Sequence, residues 1–266
     1  ADGSSGLRVI DVAIPETPNE TGCYITPDAG WSIIVSDTLA YLAEDNGGLW
    51  MVNISDPTKP NTSGFYKTPG RTFGMAVCDT FVYIADGDSG VRIINIANPS
   101  NPYEISAFIT SDFARKISIY NNKAAIAIGG SGFQLVDISN PNNIQLVNSY
   151  DTPGFVYNAV VSDSFVYLAD GNGGFRIIGI SDQLNFYEIG IYDTPYTVND
   201  IVVTDSLVYL ADGSGGLKVI NIKDNIMKIS LHRIVLILLI NLFPKLFERY
   251  YREYQEIMET IFKDKV

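Results

Sequence analysis

The sequence predicts an all-β protein, a β-propeller of four-stranded blades. Three observations carry that expectation. A 42-residue repeat runs through the chain without insertion or deletion. Each repeat contains four short runs rich in Val, Ile and Tyr, bounded by Gly, Asp and Pro. Segments such as LRVI and FRII are apolar on both faces, as strands packed between neighbouring sheets must be.

The repeat is visible residue by residue. An Ala recurs at Ala1, Ala43, Ala85, Ala127, Ala169 and Ala211, and five positions later always a Gly: Gly6, Gly48, Gly90, Gly132, Gly174 and Gly216. An aromatic recurs at Tyr24, Tyr66, Phe108, Tyr150 and Tyr192, and a Thr at Thr26, Thr68, Thr110, Thr152 and Thr194. In one unit YNAVVSD, FVYLAD, FRIIGI and YEIGIYD read as four strands in order. Tyr41, Tyr83, Tyr167 and Tyr209 fall on second strands. A β-solenoid is the competing architecture, but its coils use shorter periods.

Counting such runs gives two strands before residue 30, sixteen in four full units, and three after residue 198. An incomplete six-bladed ring is favoured, because a local hairpin partner costs less entropy than a distant one. Five-bladed closure is the alternative. Residue 1 falls inside a unit, which predicts a piece of a longer chain.

The pattern covers residues 1–223 and stops there, defining a propeller domain 1–223 and a non-repeat segment 224–266. Net charge changes from −13 to +1 across that boundary. Residues 245–264 have helical spacing of apolar positions after Pro244, and a C-terminal α-helix is expected. The apolar run Ile234–Phe243 is shorter than the ~20 residues that span a bilayer. Membrane association is therefore expected only through 226–262.

Composition excludes several classes. With 46% hydrophobic residues the chain is folded, and its net charge of −12 disfavours nucleic acid as a partner. The lone His232 lies outside the repeats, and Cys23 and Cys78 cannot build a zinc site. Both cysteines are expected to be buried small hydrophobes, not a disulfide.

The segments GLRVIDV, GLWMVNISDP, GVRIINIANP, GFQLVDISNP, GFRIIGISD and GLKVINI, most of them preceded by VYLADG-like runs, resemble LVIVD repeats. The resemblance implies a propeller in a bacterial or archaeal cell-surface or secreted protein, and little chemistry, since most members have no assigned activity. AIGGSGFQLV departs from the pattern by lacking both its acid and its base.

Two features could carry function. The first is the acid after each second strand: Asp2, Glu44, Asp86, Asp170 and Asp212. Repetition would ring one face with carboxylates suited to Ca²⁺ or a sugar. The favoured reading is pairing within the hairpin, because a base stands six positions on: Asp2 with Arg8, Asp86 with Arg92, Asp170 with Arg176, Asp212 with Lys218. At Ile128 and Gln134 acid and base are lost together, and Glu44 faces Trp50. The second is the connection into each first strand, bearing Trp31, Phe73, Phe113, Phe155, Tyr157 and Tyr196. These aromatics either form a rim for a glycan or peptide or, the favoured reading, wedge between blades. Asp37, Asp79, Asn121, Asp163 and Asp205 are read as hairpin-turn residues. No acid pair differs in environment from the rest, as glycosidic catalysis would require. A non-catalytic interaction module for a protein or glycan at the cell surface is therefore expected, with a carbohydrate-binding or carbohydrate-active enzyme as the alternative. No cofactor is expected beyond Ca²⁺ at the acidic turns.

Overall fold

The computed structural model describes residues 1–181 and 183–222. It is built from strands, with one short 3-10 turn at Gly213–Gly215. The N-terminal strands are β1 (Leu7–Asp11) and β2 (Asn19–Tyr24). The first complete blade is β3 (Gly30–Ser36), β4 (Leu39–Glu44), β5 (Gly48–Asn53) and β6 (Asn61–Tyr66). The second is β7 (Gly74–Cys78), β8 (Phe81–Ala85), β9 (Val91–Asn95) and β10 (Tyr103–Phe108). The third is β11 (Lys116–Tyr120), β12 (Lys123–Ala127), β13 (Phe133–Asp137) and β14 (Gln145–Tyr150). The fourth is β15 (Asn158–Val161), β16 (Phe165–Ala169), β17 (Phe175–Ile180) and β18 (Phe186–Tyr192). Strands β19 (Asp200–Val203), β20 (Leu207–Ala211) and β21 (Leu217–Asn221) form a three-stranded sheet.

Each complete blade is an antiparallel meander with its strands in sequence order. Among the described residues five blades carry a first strand, four complete and a fifth of three strands, a count nearer the five-bladed alternative than the favoured incomplete six-bladed ring. Strands β1 and β2 pair separately as a two-stranded sheet. The expected tail helix and the membrane segment 226–262 lie outside the described residues.

The chain divides into two compact units. One comprises Ala1–Val203 and Tyr209–Lys218 and holds all four complete blades. In the described part of the other, the Thr204 amide donates to the Leu207 carbonyl and the Ile222 amide to the Ser206 carbonyl.

The core lies between successive blades. Tyr41, Ala43, Leu49 and Met51 pack against Met75, Val82, Ile84 and Ile94 of the next blade. The opposite face of that second blade, with Tyr83, Ala85, Val91 and Ile93, packs on Ile117, Ala124, Ile126 and Val136. Alternate residues of one strand thus enter different cores, which is why second and third strands read as continuous apolar runs. A fully buried Ile or Leu contributes about 1.5–3 kcal/mol to such a core.

Local geometry accounts for the invariant residues. Gly90 has φ +75, and a Cβ there would stand 2.3 Å from the Phe108 carbonyl oxygen; Gly48 meets Tyr66 in the same way. The repeating aromatic and the repeating Gly are therefore two sides of one close approach between third and fourth strands. Asp37, Asp79 and Asn121 each hold φ 52, the left-handed geometry that a two-residue hairpin demands. Cys78 packs partly against the core, but Cys23 is exposed, correcting the expectation of burial. It lies on β2, where alternate side chains face solvent.

Candidate binding rim at the loop end

The turn after each second strand and the connection into the next first strand lie together. Isolated bridges join Gly3 to Gly30, Gly87 to Ala114, Gly129 to Val156 and Gly171 to Val198. The acids and the aromatics singled out in the sequence therefore share one end of the blades.

The acids do not face outward from it. Glu44, Asp86, Asp170 and Asp212 are fully buried, and only Asp2 is exposed. Their turns fold over them: in the second blade the Asp86 amide donates to the Gly90 carbonyl, and the Asp86 carboxylate accepts from the Gly70 amide at 2.8 Å. A solvent-facing ring of carboxylates is thus replaced by separate acids, each sealed in its own blade. Among the described residues no three acid, His or Cys side chains gather as a metal-ligating group.

Pairing with the base is direct. Arg8 meets Asp2 at 3.2 Å, and Arg176 meets Asp170 at 2.6 Å. Arg92 stands 3.8 Å from Asp86, a charge contact without a hydrogen bond. Each base also reaches an acid on the fourth strand: Arg8 to Glu20 at 2.9 Å, Arg92 to Glu104 at 3.3 Å, Arg176 to Glu188 at 2.5 Å. These glutamates were missed in the sequence, although they keep a spacing of 12 from their arginine. The equivalents are Thr62 beside Trp50 and Leu146 beside Gln134: the third blade has lost all three members, while the first has lost the base and the second acid but keeps Glu44. The expected Asp212–Lys218 pair is not formed among the described residues; both Asp212 carboxylate oxygens are buried without a hydrogen bond. No fourth strand of that sheet is described to supply a second acid for Lys218.

Electrostatics follow this packing. Burial works against the Arg176 charge, but the hydrogen bonds it donates to Glu188 and Asp170 outweigh it and hold the guanidinium above its ordinary value. Burial pushes the Asp86 carboxyl up, against the pull of Thr68, the Gly70 amide and Arg92. Burial likewise pushes Glu44 up, and Thr26 and Trp50 only partly offset it. Neither Glu44 oxygen completes a hydrogen bond. Trp50, standing where other blades hold a base, instead packs its ring 4.6 Å from Phe65.

The aromatics form the outer layer of the same end. The amides of Phe73, Arg115, Tyr157 and Asn199 donate to the carbonyls of the repeating Ala85, Ala127, Ala169 and Ala211. With Trp31, these are one column of the repeat, set at the mouth of each first strand. Their side chains meet in sequence. Trp31 and Phe73 are 5.8 Å apart between centroids, and the Arg115 guanidinium lies 5.6 Å from Phe73 and 5.1 Å from Tyr157. Phe113 and Phe155 flank the same guanidinium at 5.7 and 4.9 Å. Two of the aromatics take the wedging role. Phe113 and Phe155 wedge against the turns at Gly87 and Gly129, where a Cβ would meet each ring at 2.9 Å. Trp31 and Phe155 nevertheless remain 55% and 38% exposed. Tyr196 is exposed over Gly215 and joins no ring contact.

Arg115 is the functional candidate that the sequence reading passed over. Its signal is the column itself, Trp, Phe, Arg, Tyr and Asn, varied within a constant frame. Below it, Lys116 binds Asp200 at 2.7 Å and Asn158 donates to the other Asp200 oxygen at 2.6 Å, tying the first strands of three blades.

Fold and site together define a β-propeller whose repeated residues build the blades and whose varied residues line one end. The chain belongs to the LVIVD repeat family, whose model matches residues 29–68, 69–110, 113–152 and 153–194. No curated protein matches the sequence. Among solved structures, the computationally designed Ika8 protein is similar with TM-score 0.64 at 10% identity, over 82% of this chain and 66% of that one. The computationally designed Ika4 protein is similar with TM-score 0.51 at 12% identity, over 59% of this chain and 95% of that one. At such identities the likeness is one of fold.

Proposed function

We propose that this propeller is a non-catalytic interaction module, secreted or held at the cell surface, that binds a protein or glycan ligand through its loop end. The observation that carries the reading is the division of labour at that end. The acids that might have done chemistry are buried in their own hairpins, while Trp31, Phe155 and Arg115 remain partly or largely open above them. Exposed aromatics beside a cation are the surface chemistry of binding hot spots. What weighs against a carbohydrate-active enzyme is that Glu44, Asp86, Asp170 and Asp212 are buried one to a blade, Asp86 and Asp170 each facing an arginine, and do not stand exposed as a pair flanking a substrate. Extracellular placement rests on the family resemblance.

A glycan and peptide array screened with and without Ca²⁺ tests the reading. Binding should appear with the native protein and fall at least tenfold with Trp31→Ala and Phe155→Ala together. It should be unaffected by Ca²⁺. Turnover of an arrayed glycan, or binding indifferent to those rim substitutions, would overturn it.

A further inference from the structure

Five arginines stand among the described residues, and four of them, Arg8, Arg71, Arg92 and Arg176, hold ion pairs. Arg115 holds none among those residues. In a chain of net charge −12, a cation without a carboxylate is the exception that asks for a reason. Four rings face it within 6 Å: Phe73, Phe113, Phe155 and Tyr157. Those faces attract the guanidinium by cation–π interaction, which stabilises its charge without occupying its N–H edges. Burial pushes its pKa down; Tyr157 acts upward and Arg71 downward, and no carboxylate contributes. The group nevertheless stays protonated at neutral pH, as arginine does. Arg71, the nearest second cation, is already held by both oxygens of Asp45, at 2.5 and 2.9 Å.

We infer that Arg115 is the anchor of a binding site for a single carboxylate borne on a flat, apolar body, the carboxylate taking the free guanidinium edge and the body lying on the exposed rim aromatics. The inference rests on the binding role proposed above and names the ligand class. Two features set that class. A planar guanidinium with unoccupied parallel N–H groups matches a carboxylate in a two-point fork. The chain's net charge of −12 opposes a polyanion, while one charge met at close range by Arg115 is accepted. Trp31, more than half exposed and tilted against Phe73, offers the surface for the ligand's body.

Phenylacetate and its neutral isostere phenylacetamide are the probes, followed by the quenching of Trp fluorescence and by NMR of the arginine Nε–H groups. The native protein should bind phenylacetate at least tenfold more tightly than phenylacetamide. Arg115→Gln should abolish that preference. Arg115→Lys, which keeps the charge and loses the fork, should weaken phenylacetate binding several-fold. Thermal melts report whether each variant is folded, and the acid-over-amide ratio of the native protein stands whatever they show. A Gly-Gly-Phe peptide with a free or an amidated C-terminus separates a chain end from a small free acid: tighter binding of the free peptide than of phenylacetate assigns the former. Equal binding of phenylacetate and phenylacetamide by the native protein would overturn the carboxylate site and leave the binding role standing. Binding of neither probe, or an unchanged preference in Arg115→Gln, would also overturn it.

Discussion

Glu44 is a buried carboxylate whose hairpin offers Trp50 where others offer arginine. Burial raises its folded-state pKa above that of the unfolded chain. Between those two values the unfolded state binds fewer protons than the folded one, so stability falls as pH rises through the window. Above the folded-state pKa the full penalty is present; below the unfolded value, about 4.3, it is absent. Glu44→Gln removes the charge while keeping the shape. We predict a gain in stability at pH 7, because the amide carries no charge to desolvate. At roughly 2–4 °C per kcal/mol for a domain of this size, thermal melts from pH 4 to 8 resolve it. The gain should vanish toward pH 4. A loss at pH 7 would mean that the carboxylate is held by an interaction an amide cannot replace.

Within the blade, the unit of design is the hairpin with its fourth strand. Buried Asp170 and Arg176 and the more exposed Glu188 form a hydrogen-bonded set, while the third blade fills the same places with Ile128, Gln134 and Leu146. Leaving one partner of a buried pair uncompensated costs about 3–5 kcal/mol. Arg176→Gln alone should approach that loss in denaturant titrations, well above the ~0.2–1 kcal/mol of an exposed ion pair. The triple change Asp170→Ile, Arg176→Gln, Glu188→Leu copies a solution this fold already uses and should recover most of it; a triple mutant no better than the single would sink the idea of interchangeable sets. Gly90→Ala should cost more than about 2 kcal/mol by the same measurement, since a left-handed φ adds about 1–2 kcal/mol to the clash with the Phe108 carbonyl. Strand order, hairpin turns and the acid–base partnership were legible because each recurs with the period. How deeply each acid is buried was not, since spacing says nothing about which side of a turn a residue takes. Glu20, Glu104 and Glu188 were hidden by lying one strand beyond the hairpin under comparison.

For the whole molecule, repetition made the frame legible and drew attention away from the column that departs from it. Arg115 escaped notice because constancy, the signal for the blades, is the opposite of the signal for a rim built from Trp31, Phe73, Arg115, Tyr157 and Asn199. The blade number also escaped, since a total of 21 strands fits more than one grouping, and sequence alone does not say which strands share a sheet. The same contrast between frame and rim bears on calcium. A cation site needs several oxygen ligands converging on one point. Here the repeated acids are distributed one to a blade, and Asp86 and Asp170 already face arginines 3.8 and 2.6 Å away. Binding a divalent ion at the Asp86 or Asp170 turn would mean displacing a guanidinium from a buried carboxylate. A ligand that binds only the folded state at 100 times its Kd stabilises by about 2.7 kcal/mol, readily seen as a higher Tm. We therefore predict that 5 mM Ca²⁺ leaves the Tm of the native protein and of Asp86→Asn unchanged within a degree, and that EDTA does the same. A calcium-dependent rise in the native protein that is lost in Asp86→Asn would make the acidic turn a metal site and move the functional centre from Arg115 to the carboxylates beneath it.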